Sequence, residues 1–128
     1  MVQKSTIAGV SDKSGIFFVN IFHLYKGFSR KTAYFSDYIK ISVRDTKPNN
    51  WILKKSKRKA ILIRPKKDFN IIDGSFISYS SNDVVVLKKR LTPEGSDLVG
   101  PISRNFKKKN SYHRLVVLYN ICSYLVPY

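Results

Sequence analysis

The pattern of apolar and polar positions predicts short β-strands along the first two thirds of the chain. Residues Tyr38 to Asp45 alternate strictly: Ile39, Ile41 and Val43 fall on one side and polar residues fall on the other, as in a strand with one buried face. The segment from Gly15 to Tyr25 is rich in β-branched and aromatic residues and follows a turn-like stretch, so it is a second predicted strand.

Further strand signals lie between residues 59 and 87. The segment from Lys59 to Arg64 has an uninterrupted apolar centre with basic ends, which predicts a fully buried strand. Asp73-Gly74 marks a turn, and we expect Phe76 to Tyr79 to pair with Asp83 to Leu87. Several short strands without a long helix between them indicate a small closed barrel rather than a parallel α/β sheet.

The pattern changes after Pro93. Pro101 is well placed for the first turn of a short helix that runs to about Lys109. Apolar residues at spacings of three, four and seven predict a second helix over Tyr112 to Tyr124, ended by Pro127. We therefore expect one domain over residues 1–128, with a barrel over about 1–92, a loop and short-helix region over about 93–128, and a tail extension over about 121–128.

The net charge of the chain indicates which class of molecule it binds. The chain has 24 Lys and Arg against eight Asp and Glu, a net charge of +16 that strains a compact state unless a polyanion neutralises it. The basic residues run along the whole chain rather than beside one hydrophobic stripe, which favours nucleic acid over a membrane surface. No apolar run reaches the length of about 18 residues that a membrane span needs. We also expect no secretory signal or long transit peptide.

Residues for catalysis or metal binding are not arranged for either task. His23 and His113 are distant in sequence and lack Cys, Asp or Glu at ligand spacing, and the carboxylates are scattered singly. The chain has no phosphate-binding loop or nucleophile motif, and its one cysteine, Cys122, excludes an internal disulfide. We expect no enzyme activity, no cofactor and no small-molecule substrate. Trp51 lies beside a basic run, where it can stack on a nucleic-acid base or close one end of the barrel.

A series of short motifs follows a recognisable order. The most specific part begins with AILI at Ala60 to Ile63, continues after nine residues with Asp73-Gly74, and is completed by Tyr79, Asn82 and Val85-Val86. Around it lie MVQKST, SDKSG, SDYIKISV and GPISR. In these motifs the chain resembles the universal large-subunit ribosomal protein of the L-fourteen family, from about residue 1 to residue 120.

This resemblance implies a mainly β fold: a small five-stranded β-barrel with a protruding β-ribbon and a C-terminal region of short α-helices. It also implies a structural constituent of the large ribosomal subunit that binds large-subunit rRNA at the subunit interface and forms bridges to the small-subunit rRNA. The implied protein neighbours belong to the L-three and L-nineteen families, and a ribosome-silencing factor docks on members of the family. The alternative hypothesis is a stand-alone basic β-barrel that binds single-stranded nucleic acid.

Basic residues at positions matching the family, with two lysines of the predicted first helix, are our candidates for rRNA binding. Each would place an ammonium or a guanidinium fork on a phosphate. The candidates are Arg30, Lys31, Arg44, Lys54, Lys55, Lys59, Arg64, Lys66, Lys67, Arg104, Lys107 and Lys108.

Several positions depart from the family pattern. Ser96-Asp97 replaces a usual Thr-Arg pair, which puts the docking of a silencing factor in doubt, and apolar Phe17-Phe18 and Ile71-Ile72 replace basic residues, which favours protein neighbours there. The Tyr- and Leu-rich tail is expected to pack on another protein. These departures, with few alanines and many Lys, Ile, Asn, Phe and Tyr residues, favour a mitochondrial ribosome over a plastid one.

Overall fold

The computed structural model describes residues 1–25, 27–71, 73–104, 120 and 122–126. Within these residues the regular structure is almost entirely β. The strands are β1 (Val2–Gln3), β2 (Ile7–Val10), β3 (Ile16–Leu24), β4 (Thr32–Ala33), β5 (Tyr38–Thr46), β6 (Lys57–Arg64), β7 (Phe69–Asn70), β8 (Phe76–Ile77), β9 (Asp83–Leu87), β10 (Leu98–Ser103) and β11 (Cys122–Val126).

Five strands close into a barrel in the order β2-β3-β5-β6-β9, which confirms the predicted fold class. Neighbouring strands are antiparallel except β2 and β9, whose parallel pairing closes the barrel. The predicted pairing of the Phe76 strand with β9 is wrong. Instead β8 pairs with β7 across the Asp73-Gly74 turn and forms the ribbon. Strand β9 instead pairs with β6 on one side and β2 on the other. Its side chains are buried on both faces, so it is part of the barrel wall.

The central strand β6 is buried on both faces. Ala60 and Leu62 point into the barrel core, whereas Ile61 and Ile63 belong to a second apolar cluster on the outside of the barrel wall. This outer cluster includes residues of β9 and β10. A strand covered on both sides reads as a continuous apolar run instead of an alternating one, which explains the sequence AILI.

The C-terminal region departs from the predicted helices where the structure describes it. Pro101 lies in strand β10 rather than in a first helical turn, and residues 122–126 form β11, which pairs parallel with β10. Leu98 and Ile102 of β10 are fully buried against the barrel wall, so tertiary burial outweighs the local helix signal. Residues 122–126 of the tail thus pair with β10 of the same chain. Residues 105–119 of the two predicted helices lie outside the described residues. No helix among the described residues is long and apolar enough to cross a membrane.

Arg64 joins three strands through its guanidinium. The side chain is only 11% exposed; its Nε donates to Asp83 Oδ2 of β9 at 2.9 Å and its Nη1 donates to the Val99 carbonyl of β10 at 2.8 Å. The group packs so closely on Gly100 that a Cβ there would lie 2.0 Å from Nη1. Gly100 has φ +90°, which also favours glycine. The GP motif therefore provides the space in which a buried cation is neutralised.

We expect Gly100→Ala to destabilise the protein more than Gly74→Ala. Both glycines have φ near +90°, but a Cβ on Gly74 meets nothing within 4 Å. Each variant incurs about 1–2 kcal/mol for a left-handed alanine. Gly100→Ala incurs roughly a further 1–3 kcal/mol because it displaces Arg64 from its buried partners. Urea denaturation measures both free energies of unfolding; equal losses in the two variants would contradict the close packing of Arg64 on Gly100.

The Asp12 carboxylate links the turn before β3 to β9 through hydrogen bonds. One carboxylate oxygen accepts from the Ser14 amide at 3.2 Å and from the Ser14 hydroxyl, and the other accepts from the Val86 amide at 3.2 Å. Burial raises the pKa of Asp12 above its ordinary value of 3.8, although these hydrogen bonds oppose the shift. The folded state therefore binds this proton more tightly than the unfolded chain does.

From this shift we predict a pH-dependent difference between the wild type and Asp12→Asn. The stability contribution of a raised carboxyl pKa is fully present below pH 3.8 and is lost as the pH rises through the pKa of the folded state. The asparagine does not titrate, so the free energy of unfolding of the wild type relative to the variant should fall between about pH 3 and pH 7. Urea titrations of both proteins across this range measure it. A difference that rises with pH would show that the pKa is lowered instead.

Candidate nucleic-acid interface

One end of β6 carries its basic residues into a groove on the barrel surface. Lys57 and Lys59 point outward, opposite Ser42 and Lys40 of β5. On the other side Lys59 pairs with Leu87, the last residue of β9, so that the lysines after β9 lie beside those of β6. The groove has a volume of about 390 Å³. Its cationic lining residues, here called the basic groove, are Lys40, Lys57, Arg58, Lys59, Lys88 and Lys89.

The basic groove concentrates positive charge. Apart from its six cations, the described lining residues include only Leu87. Like charges held together on a rigid sheet raise the local potential and attract a polyanion, above all a phosphate backbone. The only ion pair among the described residues that reaches the groove joins Arg58 to Glu94 at 3.6 Å. The geometry therefore supports binding of several phosphates and offers nothing for bond-making chemistry.

Aromatic rings border this charge. Irregular pairing between β3 and β5 turns consecutive residues outward, so Phe17, Phe18 and Phe22 are exposed in a strand that would otherwise alternate. The Phe22 ring lies 6.0 Å from the ammonium groups of both Lys40 and Lys57. Such contacts orient lysines over a ring face and leave the charges available to an anion.

The structure argues against one of the two interpretations of Trp51, that its ring closes one end of the barrel. Its neighbour Ile52 is 1% exposed and belongs to the barrel core, whereas Trp51 is 65% exposed. Ile52 therefore helps to close this end of the barrel, and Trp51 is available at the surface. The Arg58 guanidinium carbon lies 5.2 Å from the centre of the Trp51 ring.

The other exposed candidates for rRNA binding are spread over the surface. Lys59 is in the basic groove, and Arg44 follows Lys40 and Ser42 on the outward face of β5. In the loop before β6, Lys55 is exposed and Lys54 forms a 3.1 Å ion pair with Asp45. Lys31 and Arg104 are exposed elsewhere. Lys107 and Lys108 lie outside the described residues.

Lys66 and Lys67 form a second cationic region beyond the opposite end of β6. Both side chains are exposed, and the Lys66 amide donates to Asn82 Oδ1 at 2.8 Å, which fixes the turn. Burial and the Lys67 charge together lower the pKa of the Met1 amine, so Lys67 lies near the amino terminus. The length of β6 thus separates the basic groove from the region formed by Lys66 and Lys67.

The geometry argues against direct phosphate contact by two candidates. Arg64 is buried and its guanidinium is used by Asp83 and Val99. Arg30 forms an ion pair with the buried Asp37 and donates from Nε to the Thr32 carbonyl at 2.7 Å. A cation already neutralised and desolvated inside the fold gains little from an external phosphate. We therefore assign both arginines to internal roles.

Most of the basic groove was absent from the list of candidates. Only Lys59 was on it; the other five cations become neighbours through the pairing of β5, β6 and β9. Two signals were present in the sequence: the basic run before AILI and the Lys88-Lys89-Arg90 run directly after β9. Strand register, which the sequence does not give by itself, was needed to bring the two runs together.

Comparisons with known proteins agree with the fold. The family model for ribosomal protein L14p/L23e matches residues 1–122. The large ribosomal subunit protein uL14m of Tetrahymena pyriformis is 48% identical over 109 residues, which cover 85% of this chain and 92% of that protein. The family match extends over the barrel, the ribbon and β10.

Neutralising one cation of the basic groove should lower the salt dependence of RNA binding. Each lost phosphate contact reduces the slope of log affinity against log salt by about 0.7 to 0.9. We expect this change for Lys59→Gln and for Lys88→Gln. The control is Lys13→Gln, because Lys13 is exposed away from the groove and paired with Asp97 at 3.1 Å. Filter binding at several salt concentrations measures the slopes. Equal slopes for all three variants would contradict a role for the groove.

Proposed function

The chain belongs to the ribosomal protein L14p/L23e family, and we propose that it binds large-subunit rRNA in a mitochondrial ribosome through the cationic regions at the two ends of β6. It is a structural constituent of the ribosome and not an enzyme. The mitochondrial assignment is supported by the Tetrahymena relative and by the organelle-like amino-acid usage of the chain.

The basic groove is the observation that carries the proposal for RNA. Four of its six cations lie on strands of a closed barrel and the other two follow β9 directly, so their spacing is largely fixed before RNA binds. Rigid cations suit the recognition of folded RNA, which is mainly by shape and backbone. A net charge of +16 gives the free chain strong self-repulsion, which RNA phosphates relieve.

Two separated cationic regions also suit a position between the ribosomal subunits. In this proposal one region binds large-subunit rRNA, and the other contributes to a bridge with the small-subunit rRNA. The exposed Phe17 and Phe18 provide an apolar surface for a neighbouring protein of the L-three or L-nineteen family. The Asp97 carboxylate is engaged by Lys13, so a silencing factor docking there would meet a charge that is already paired.

Charge reversal at Lys66 and Lys67 should release the protein from the large subunit. Both side chains are exposed after β6, so Lys66→Glu/Lys67→Glu leaves the core intact while replacing two phosphate ligands with repulsive charges. Sucrose gradients of mitochondrial lysate at moderate salt, probed for the tagged chain, measure the association. We expect loss of at least about 10-fold of the large-subunit signal, corresponding to ~1.4 kcal/mol.

Lys13→Glu is the control and should remain associated, because its side chain is exposed outside both cationic regions. Wild-type protein that sediments free of ribosomes would contradict the ribosomal proposal. It would favour the alternative, a stand-alone barrel that binds single-stranded nucleic acid, for which exposed aromatic–cation pairs offer a stacking surface.

A further inference from the structure

Trp51 is a large aromatic side chain that is exposed to solvent in the folded protein. It is the single tryptophan of the chain and is 65% exposed in the loop between β5 and β6. The loop does not need the ring as an anchor, because Ile52 supplies the buried side chain. The ring is therefore not needed to fill the core, and most of its surface is accessible to a ligand.

Arg58 holds the ring in position, and Glu94 in turn holds Arg58. Arg58 lies over the ring at 5.2 Å, and Nη1 of the same arginine lies 3.6 Å from Glu94 Oε2. The Glu94 side chain is 1% exposed, and neither of its oxygens accepts a hydrogen bond from any residue the structure describes. Arg58 is thus the countercharge of a buried carboxylate. Moving it away would leave that charge uncompensated, so the guanidinium is fixed and the tryptophan rests on a rigid support.

The support places the tryptophan at the edge of the basic groove. Arg58 lines the groove itself, beside Lys57, Lys59 and the lysines after β9. Two lysines that line the groove are also paired with aromatic rings: Lys57 with Phe22 at 6.0 Å, and Lys59 with Tyr25 at 5.6 Å. A groove for phosphates with an aromatic ring at its edge is the combination that proteins use for unpaired nucleotides.

We propose that Trp51 stacks on one unpaired RNA base, and that the basic groove holds the phosphates on either side of that nucleotide. The inference rests on the proposed RNA binding and specifies its ligand class as looped or bulged RNA rather than continuous duplex. Bases inside a duplex have both faces covered by their neighbours, so only an extruded base can stack on a side chain. Arg58 and Glu94 are positioning residues for the ring.

The fluorescence of the single tryptophan reports directly on stacking. The full chain at about 0.2 M salt is titrated with a hairpin RNA carrying one bulged uridine and with the same hairpin fully paired. We expect quenching with the bulged RNA and little change with the paired one. Anisotropy of labelled RNA then gives affinities for variants that lack the tryptophan.

Trp51→Ala should weaken binding of the bulged hairpin roughly 5- to 150-fold, the usual effect of losing one base–aromatic stack, and should leave the paired hairpin unchanged. Trp51→Phe should keep most of the affinity because a ring remains. Leu53→Ala is the matched control, since Leu53 is an exposed apolar residue of the same loop, and it should bind both RNAs like the wild type.

Glu94→Gln tests the support, because it frees Arg58 from its countercharge. We expect weaker quenching of Trp51 by the bulged hairpin at saturating RNA. Arg58→Lys, which keeps the charge but not the planar group, should act in the same direction. Circular dichroism identifies any variant that fails to fold, and the Trp51 variants then carry the test because their side chain is exposed.

Two results would overturn the stacking inference while leaving RNA binding intact: equal affinities for both hairpins with unquenched tryptophan, or an equal loss for both hairpins in Trp51→Ala. Quenching by polyglutamate as strong as that by the bulged RNA would identify an acidic protein segment as the occupant, and would also overturn it. Failure of the wild type to bind either hairpin would instead contradict the proposed function.

Discussion

The burial of β6 on both faces is the constraint on which the rest of the structure depends. Ala60 and Leu62 fill the barrel, and Ile61 and Ile63 fill the cluster outside it, so no exposed position remains along the centre of the strand. The exposed basic residues of this segment must therefore lie beyond the two ends of this centre. One end contributes to the basic groove, and the other leads to Lys66 and Lys67. The separation of the two cationic regions is thus a consequence of core packing.

Arg64 is a basic residue of β6 that is buried rather than exposed, and the fold neutralises its charge. Its charge is buried at the end of the same strand, where Asp83 neutralises it and backbone carbonyls of β10 accept from it. Gly100 supplies the space that the guanidinium needs. The same contacts attach β10 to the barrel wall, so the arginine links the closure of the barrel to the attachment of the C-terminal region. Arg64 therefore has a structural role, which its charge and its match to the family pattern did not reveal.

The candidate interface was only partly predictable. The exposure of Lys59 and Lys67 could be predicted from local sequence, because charged side chains beside a buried strand have to emerge at its ends, but the resemblance to the family selected them as candidates. Arg30 and Arg64 could not be recognised as internal, since their partners Asp37 and Asp83 come from other segments of the chain. The groove lysines after β9 and the Glu94–Arg58–Trp51 arrangement likewise depend on contacts between segments far apart in sequence.

The sequence alone determined the strand character of the chain, the barrel class and the basic surface, because alternation, continuous apolar runs and net charge are local or summed properties. It failed for β10 and β11, where a helical spacing and a proline gave the wrong local signal. It also misjudged the partner of β8. Tertiary structure decided these points, as well as which cations share a groove and which are neutralised inside. The physical reason is that strand register and burial arise from pairing between distant segments, whereas a sequence pattern reports only on neighbours along the chain.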